Sequence, residues 1–583
     1  MGQSRGPWTR LGALLGATVL SSTLLVGCAS EQGEDHGAQN QAEEAHAGPY
    51  AEAAAANINR YVAENYERTP QILADSDGTG AEAVARFHDT SETLIVSAPT
   101  DAAQLRAASI AVWTHTPMLT VRPGTEKNLQ DSLKQLQPRK VLVVGDVKTE
   151  DITPRREEGD SPDRPDPEFL LDTGTPESLE ALTATQFVEK QVERPEDMVK
   201  SVVDLDGKEA VLLVPAWDTY APSPEAKEKP GALPSRSAED AGSTPITIAS
   251  PESALAAVGT ARAFGADVRF MPYPDPRLSD ETMRMVAGLA DKPLLALGAQ
   301  FGSAKILSEK IERGERVTAE QPGGGQLVFP GRRMVALYGH PSGPALGALG
   351  EQDPAASVER VKQLVAEYQK FDSQPIIPAF EIIGTVAAAD PGPEGTYSTE
   401  FSTESLSEYV DAITQAGGYA VIDLQPGRAR LLDQAKKFEE LLKRPNVGLA
   451  LDPEWKLEAD EQPMSSVGHV QAAEIDEVSD WLAQLVKDND LPQKPLVIHQ
   501  FQLQMIRDRE TLNLDHPELA FVLHADGHGS REEKLGTWDV MQKDLDPRFF
   551  MAWKNFFDED QPLFSPEQTY TDVAPRPWFV SYQ

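Results

Sequence analysis

The chain has 583 residues, a hydrophobic content of 40% and a formal net charge of −39. That length suffices for two large domains or about three to four of ordinary size. The strong negative charge would repel nucleic-acid phosphates, so we expect no nucleic-acid partner. Direct binding to an anionic wall polymer would need a bridging cation or a local basic patch.

The N-terminal segment has the composition of an export signal. Arg5 and Arg10 precede an apolar run of small residues at 11–26, which is too short and too weakly hydrophobic for a confident membrane-spanning helix. The run closes on the letters LVGC, and Cys28 is the sole cysteine. This resembles the lipobox of bacterial lipoproteins, which implies a signal peptide over 1–27 and a lipid on Cys28. The alternative is an ordinary signal peptide with an incidental cysteine.

The segment that follows the signal, residues 28–50, is acidic and poor in large apolar residues. Such a composition predicts a flexible tether rather than a packed domain. Because the chain has one cysteine, no disulfide can form within it. We therefore expect an exported, lipid-tethered protein at the outer face of the cell membrane.

Residues 51–330 alternate strand-like and helix-like patterns twice. The first series is ETLIVSAP, DAAQLRAASIAVWTH, PMLTV, TEKNLQDSLKQLQ and RKVLVVGD. The second series is EAVLLVPA, PESALAAVGTARAFG, ADVRFMPY, SDETMRMVAGLA and KPLLALGAQFG. Strands separated by helices of this length predict parallel βαβ units, and hence a tandem Rossmann-like α/β region. Segments rich in proline and charged residues interrupt it at about 147–180 and at 218–243.

The first copy resembles the cell wall-binding repeat 2 modules of Gram-positive surface proteins. The likeness lies in LIVSAPTDAAQLRAASIAVWTHTPMLTV and in LKQLQPRKVLVVGD, and the aspartate-and-aromatic loop of that family is reduced to Pro99-Thr100-Asp101. The resemblance implies association with a cell-wall polymer. The alternative is a generic Rossmann-like pair without wall contact. The glycine-rich segment EQPGGGQLVFPG at 320–331 predicts a hinge or domain boundary, since no Lys-Ser/Thr follows it as in a phosphate loop.

The last part of the chain, 331–583, contains eight strand candidates, several of them separated by clear amphipathic helices. The candidates are RMVALYGH, PIIPAFEII, YAVIDLQ, VGLALDPE, PLVIHQF, LAFVLHAD, FFMAWKNF and WFVSYQ. Eight strands in about 250 residues predict a (β/α)8 TIM-like barrel. A doubly wound open sheet is the alternative.

A barrel of this kind carries its chemistry at the carboxyl ends of its strands. Four residues there are candidate catalytic groups, namely Glu381, Asp452, Glu454 and Asp526. Ten others are candidate substrate-binding groups, namely Tyr338, His340, Asp423, Trp455, His499, Gln500, His524, His528, Trp553 and Lys554. Period-two alternation places Asp452 and Glu454 with the small residues that face the interior, and it pairs His524 with Asp526 in the same way.

Paired carboxylates at this position favour glycoside hydrolysis. Residues two apart on a strand have Cα atoms about 6.6 Å apart, within the range of about 5 to 9.5 Å that this reaction requires of its two carboxyl groups. Tyr338, Trp455 and Trp553 could stack on sugar rings. The large class of retaining barrel glycosidases carries a glutamate nucleophile on the seventh strand. Here that strand carries Lys554 and no carboxylate. The barrel therefore resembles glycosidase barrels in its strand ends, but we assign it to no glycosidase family.

Two other chemistries receive less support from the sequence. His524-x-Asp526-x-His528, with His340 or His499, offers metal donors, but the spacing is not a known zinc signature and we predict neither a metal nor a cofactor. No G-x-S-x-G motif is present for a serine nucleophile. We therefore expect an envelope-associated lipoprotein whose barrel hydrolyses a wall or capsular glycan, or alternatively a non-catalytic wall-binding protein on a degenerate barrel. The oligomeric state stays open.

Overall fold

The computed structural model describes residues 48–154, 166–226, 231–234 and 243–583. The predicted signal peptide, Cys28 and most of the predicted tether lie outside these residues. In the described part before residue 331 there are ten strands: β1 Pro70–Leu73, β2 Thr93–Ser97, β3 Met118–Thr120, β4 Lys140–Val144, β5 Glu168–Leu171, β6 Val188–Val192, β7 Val211–Pro215, β8 Ile246–Ala249, β9 Val268–Phe270 and β10 Leu294–Leu297. The helices of the same part are α1 Ala51–Ile58, α2 Ala81–Phe87, α3 Asp101–Thr114, α4 Glu126–Leu136, α5 Thr149–Ile152, α6 Pro176–Thr183, α7 Met198–Val203, α8 Leu255–Phe264, α9 Asp280–Val286 and α10 Ala304–Arg316.

The first predicted copy forms a parallel sheet in the order β3-β2-β4-β5. Its helix α3 is almost entirely buried, because its many alanines let it pack closely on both sides. The helix is capped by Thr100, whose side chain accepts a hydrogen bond from the backbone N–H of Ala103 (3.4 Å). The predicted strand and helix positions of this copy are therefore found in the structure.

The second parallel sheet has the order β1-β10-β8-β9, so β10 lies at the position that β4 occupies in the first sheet. Each of these two strands is followed by a glycine with positive φ, Gly145 at +92° and Gly298 at +121°. The repeated arrangement matches the predicted likeness of RKVLVVGD and KPLLALGA. The fourth strand is β1, which precedes the first copy in the sequence.

One predicted strand of the second copy forms, but its expected place in the second sheet is wrong. EAVLLVPA does form β7, but β7 pairs with β6 in a separate two-stranded sheet. It packs against α3, where the backbone N–H of Leu213 donates to the hydroxyl of Ser109 (2.9 Å). The second sheet instead takes β8, whose residues the sequence pattern left unassigned.

The remaining strands, which belong to the C-terminal part, are β11 Arg333–Gly339, β12 Ile376–Ala387, β13 Ser398–Glu400, β14 Tyr419–Leu424, β15 Val447–Leu451, β16 Val470–Gln471, β17 Lys494–Gln500, β18 Ile506–Arg507, β19 Leu519–Ala525, β20 Phe550–Asn555 and β21 Phe579–Tyr582. The helices are α11 Pro354–Tyr368, α12 Thr403–Gln415, α13 Leu431–Lys437, α14 Glu439–Leu442, α15 Ala472–Asp488, α16 Arg531–Gln542 and α17 Pro566–Thr571. Among the described residues, no helix is long and apolar enough to cross a membrane.

Eight parallel strands close into a barrel. They follow the order β11-β12-β14-β15-β17-β19-β20-β21, and β21 pairs back to β11. All eight predicted strands take part, and the alternative of a doubly wound open sheet is excluded. Alternation divides their side chains as expected: Val447, Leu449 and Leu451 pack under the surrounding helices, whereas Ala450 lies in the interior.

The glycine-rich segment predicted as a hinge lies against the amino end of the barrel. The backbone N–H of Val328 donates to Gln493 (3.0 Å), and Gln321 donates to the Gln493 carbonyl (2.5 Å). Gly325 has φ +70°, and a Cβ at this position would lie 2.1 Å from the carbonyl oxygen of Leu278. The segment is thus closely packed, and the carboxyl end of the barrel is left as the end where side chains can form a site.

Candidate functional site

The carboxyl ends of the barrel strands bring most of the predicted site residues into one buried cluster, centred on His499. Its Nδ1 lies 2.9 Å from Asp526 Oδ2, and its Nε2 lies 2.9 Å from Glu381 Oε1. The neighbouring strand places His524 directly opposite His499, with ring centroids 4.6 Å apart. Asp423 approaches from β14, with its Oδ1 at 3.9 Å from His499 Nε2. Glu381, Asp423, His499 and His524 have no exposed surface.

A second layer of side chains fixes these groups. The Tyr338 hydroxyl donates to Asp423 Oδ2 (2.8 Å) and accepts from Gln425 (3.3 Å). Lys554 Nζ lies 3.7 Å from the centre of the Tyr338 ring. The Ser581 hydroxyl lies 3.1 Å from His524 Nε2. Each contact joins side chains of different strands, which holds the cluster in one arrangement.

Two more carboxyl groups lie near the cluster, on the first residues of the loop that follows the fourth barrel strand, β15. Asp452 caps the turn Pro453–Trp455, and its Oδ1 accepts from the backbone N–H of Glu454 (3.3 Å). Asp452 is buried, whereas Glu454 and Trp455 are partly exposed. The capping role explains Asp452 structurally, and it also fixes the backbone that carries Glu454.

The ionisation of the cluster follows from burial and from its pairings. Burial opposes ionisation of Glu381 and Asp526, yet the adjacent His499 holds the pKa of both carboxyls below the ordinary value. Burial would lower the pKa of His499, but Glu381 and Asp526 together raise it well above the ordinary value. His499 therefore lies between two carboxyl groups that favour its protonated form. Burial lowers the pKa of His524.

The other carboxyl groups are shifted in the opposite direction. Burial, with the charge of Glu381, raises the pKa of Asp423. Burial, with the charges of Asp423 and Asp526, raises the pKa of Asp452 well above its ordinary value. Burial and the charge of Asp526 raise the pKa of Glu454 to about 7. Glu454 is thus a partly exposed carboxyl group whose pKa lies near neutral pH.

Several predicted binding residues lie away from this cluster. Trp553 is buried under α16 against Trp538, with ring centroids 5.6 Å apart, so it offers no face to a sugar. Gln500 holds its own loop through Arg509 (2.8 Å). Alternation along the strands explains the positions of both side chains. Lys554 and His499 point inward, so their neighbours Trp553 and Gln500 point outward. Both side chains lie apart from the cluster, and their role in substrate binding stays a prediction.

Two predicted histidines also lie outside the cluster. His340 is buried, its Nδ1 lies 2.8 Å from the Ser342 hydroxyl, and its ring stacks on Phe401 with centroids 3.8 Å apart. Burial lowers its pKa. His528 is exposed and contacts Phe556, because the chain leaves the strand after Asp526.

Other residues that shape the site were not predicted. Buried Lys534 donates to Asp560 (2.7 Å) and to the carbonyls of Lys554 (2.6 Å) and Gly527 (3.2 Å), which joins the sixth and seventh strand ends. Ser581 lies on the inward face of the eighth strand, and period-two counting from the inward Phe579 would have found it. Nothing local in the sequence pairs Lys534 with Asp560.

The fold and the cluster together define a closed parallel α/β barrel with a buried acid-and-histidine centre at its carboxyl end. No protein family matches the sequence, and no curated protein matches it. Among solved structures, Cwp6 from Clostridium difficile is similar to the chain at 10% sequence identity and a TM-score of 0.23. The match covers 61% of this chain and 63% of that chain, which is less than two thirds of its length. A likeness of this size supports no inference about fold or function.

Proposed function

We propose that this chain is a lipid-anchored protein of the bacterial cell envelope, and that its barrel hydrolyses a wall or capsular glycan. The lipobox-like sequence ending on Cys28 supports the membrane anchor. The likeness of residues 94–146 to cell wall-binding repeats supports contact with a wall polymer. The two parts would bring the barrel to a polymeric substrate outside the membrane.

The observation that carries the hydrolytic proposal is the position and ionisation of Glu454. A general acid works best when its pKa lies near the working pH, and the pKa of Glu454 is raised to about 7. Glu454 is also the partly exposed carboxyl group beside the buried cluster. Trp455 follows it and is partly exposed, so its ring can stack on a sugar bound beside Glu454.

The second carboxyl group of the proposed reaction is Asp526. Its Oδ2 is held by His499 at 2.9 Å, whereas its Oδ1 has no hydrogen-bond partner. After burial, the charge of Asp526 is the main cause that raises the pKa of Glu454. Glu454 gives its proton to the glycosidic oxygen as the C–O bond breaks, and Asp526 Oδ1 attacks the sugar or takes a proton from the attacking water.

A second function, glycan binding without turnover, is favoured by one specific observation. The chain Glu381–His499–Asp526 is paired internally, and its members are between 0% and 6% exposed. Such a network can serve only to hold the strand ends together. In that case the barrel retains the glycan but Glu454 has no catalytic role.

The experiment measures the release of reducing ends from purified wall and capsular polysaccharides by the full-length protein. We expect turnover by the wild type and a loss of at least about 100-fold in Glu454→Gln and Asp526→Asn, since removal of a general acid costs about 10²–10⁴-fold. Glu458→Gln is the matched control, because Glu458 is an exposed glutamate in the same loop. Unchanged turnover in Glu454→Gln would refute the assignment, and glycan binding without turnover by the wild type would favour the second function.

A further inference from the structure

The cluster around His499 contains buried polar atoms that the protein itself does not satisfy. His524 Nδ1, Glu381 Oε2 and Asp423 Oδ1 have no hydrogen-bond partner, although their residues have no exposed surface. Buried polar atoms are almost always partnered, and those that are not call for a bound water or ion. These three atoms come from three different strands, and all belong to side chains that surround His499 Nε2.

The donor atoms have the separations that a small divalent cation requires. Glu381 Oε1 lies 2.9 Å from His499 Nε2 and 3.7 Å from His524 Nδ1. Asp423 Oδ1 lies 3.9 Å from His499 Nε2. Zinc bonds of about 2.0–2.2 Å in a tetrahedron place their donor atoms about 3.3 Å apart. The donor atoms of Glu381, His499 and His524 all lie within 4.8 Å of one another, so small movements would bring these three to a common ion.

The outer nitrogens of the two imidazoles are already engaged. His499 Nδ1 lies 2.9 Å from Asp526 Oδ2, and His524 Nε2 lies 3.1 Å from the Ser581 hydroxyl. A histidine that binds a metal usually donates its other ring N–H to a carboxylate or another oxygen, which orients the ring. With protons on these outer nitrogens, both rings direct their inner nitrogens toward Glu381, and zinc would displace the proton that His499 Nε2 shares with Glu381.

We propose that the barrel binds one zinc ion through Glu381 Oε1, His499 Nε2 and His524 Nδ1, with Asp423 beside these ligands. A donor set of two imidazoles and one carboxylate suits zinc and related divalent transition metals better than magnesium or calcium. The site joins three of the eight barrel strands, β12, β17 and β19. It shares Asp526 with the proposed hydrolysis, because Asp526 orients His499, but neither Glu454 nor its proton takes part in it.

The test uses the full-length chain, purified in detergent and stripped of metal by a chelator. Equilibrium dialysis against zinc, followed by elemental analysis, is expected to give one equivalent for each chain. Cobalt in place of zinc is expected to show the intense visible absorption of a tetrahedral Co²⁺ centre. No retained equivalent, or a cobalt spectrum of the hexaaqua type, would overturn the proposal.

Variants test the ligand set. Glu381→Gln and His524→Ala are expected to lose the bound equivalent and the cobalt spectrum. His528→Ala is the matched control, because His528 is an exposed histidine four residues beyond His524, and it is expected to retain both. Circular dichroism shows whether each variant is folded, and Asp423→Asn gives a milder change should the others fail to fold, with an expected loss of at least about 10-fold in zinc affinity. Retention of the equivalent in folded Glu381→Gln and His524→Ala would refute the assignment.

One alternative set of donors shares His499 with Asp452 and Asp526. If Asp452→Asn abolishes zinc binding while Glu381→Gln does not, the ion lies in that set and the proposed ligands are wrong. If glycan hydrolysis fails while the zinc equivalent and its spectrum persist, the metal site stands and the proposed function falls. The two proposals can therefore fail separately.

Discussion

Replacement of Glu454 by glutamine should stabilise the protein at alkaline pH while it removes activity. The folded-state pKa of Glu454 is raised from 4.5 to about 7 by burial and by the charge of Asp526. Lys554 and His499 oppose that rise. At about 1.36 kcal/mol for each pH unit, the ionised side chain costs the folded state about 3 kcal/mol.

The sign of this effect depends on pH. Below about pH 4.5 the carboxyl group is protonated in both the folded and the unfolded state, so Glu454→Gln should match the wild type there. As the pH rises from about 4.5 to about 7, the unfolded state loses its proton first, and the wild type loses stability relative to the variant. Above about pH 7 the difference should reach its full value.

The assay is urea unfolding of the wild type, Glu454→Gln and the exposed control Glu458→Gln at intervals from pH 4 to pH 9. The free energy of unfolding of Glu454→Gln should exceed that of the wild type by about 3 kcal/mol at pH 8 and equal it at pH 4. The control should follow the wild type throughout. A difference that is the same at every pH, or a variant that is less stable at pH 8, would refute the reasoning.

Two further predictions concern single contacts, each measured by urea unfolding. Tyr338→Phe removes the hydroxyl that donates to Asp423 and leaves a buried carboxylate oxygen without a partner, so it should cost about 1–3 kcal/mol; an unchanged midpoint would contradict this. Gly325→Ala brings a Cβ against the Leu278 carbonyl and should cost at least about 2 kcal/mol, whereas Gly324→Ala, which also has positive φ but meets open space, should cost only about 1 kcal/mol; equal costs would show that the close approach is unimportant.

The barrel could be predicted because its strands are short apolar runs with helices between several of them. Gly448 and Ala450 alternate with Leu449 and Leu451, and this pattern alone assigns the inner and outer faces of the fourth strand. The fourth position of the second sheet could not be predicted, because β1 is distant in sequence and carries no signal of its partner. The place of β7 could not be predicted either. Its sequence has a clear strand pattern, but its position depends on packing against α3.

The site could be predicted in part. We predicted four residues as site residues because they lie at the carboxyl ends of strands, and the structure brings them together: Glu381, His499, His524 and Asp526. The same criterion also selected Trp553, because it ignores the face on which a side chain lies. The pairings within the cluster depend on strand tilt and side-chain rotamers, which no local pattern records.

The position of a bound glycan fragment tests the central claim most directly. A crystal structure of Asp526→Asn with an oligosaccharide from a hydrolysed wall polymer should place a glycosidic oxygen within about 3.2 Å of the Glu454 carboxyl group. One sugar ring of that fragment should stack on Trp455. A fragment bound to the barrel with its glycosidic oxygens out of reach of Glu454 would contradict the account.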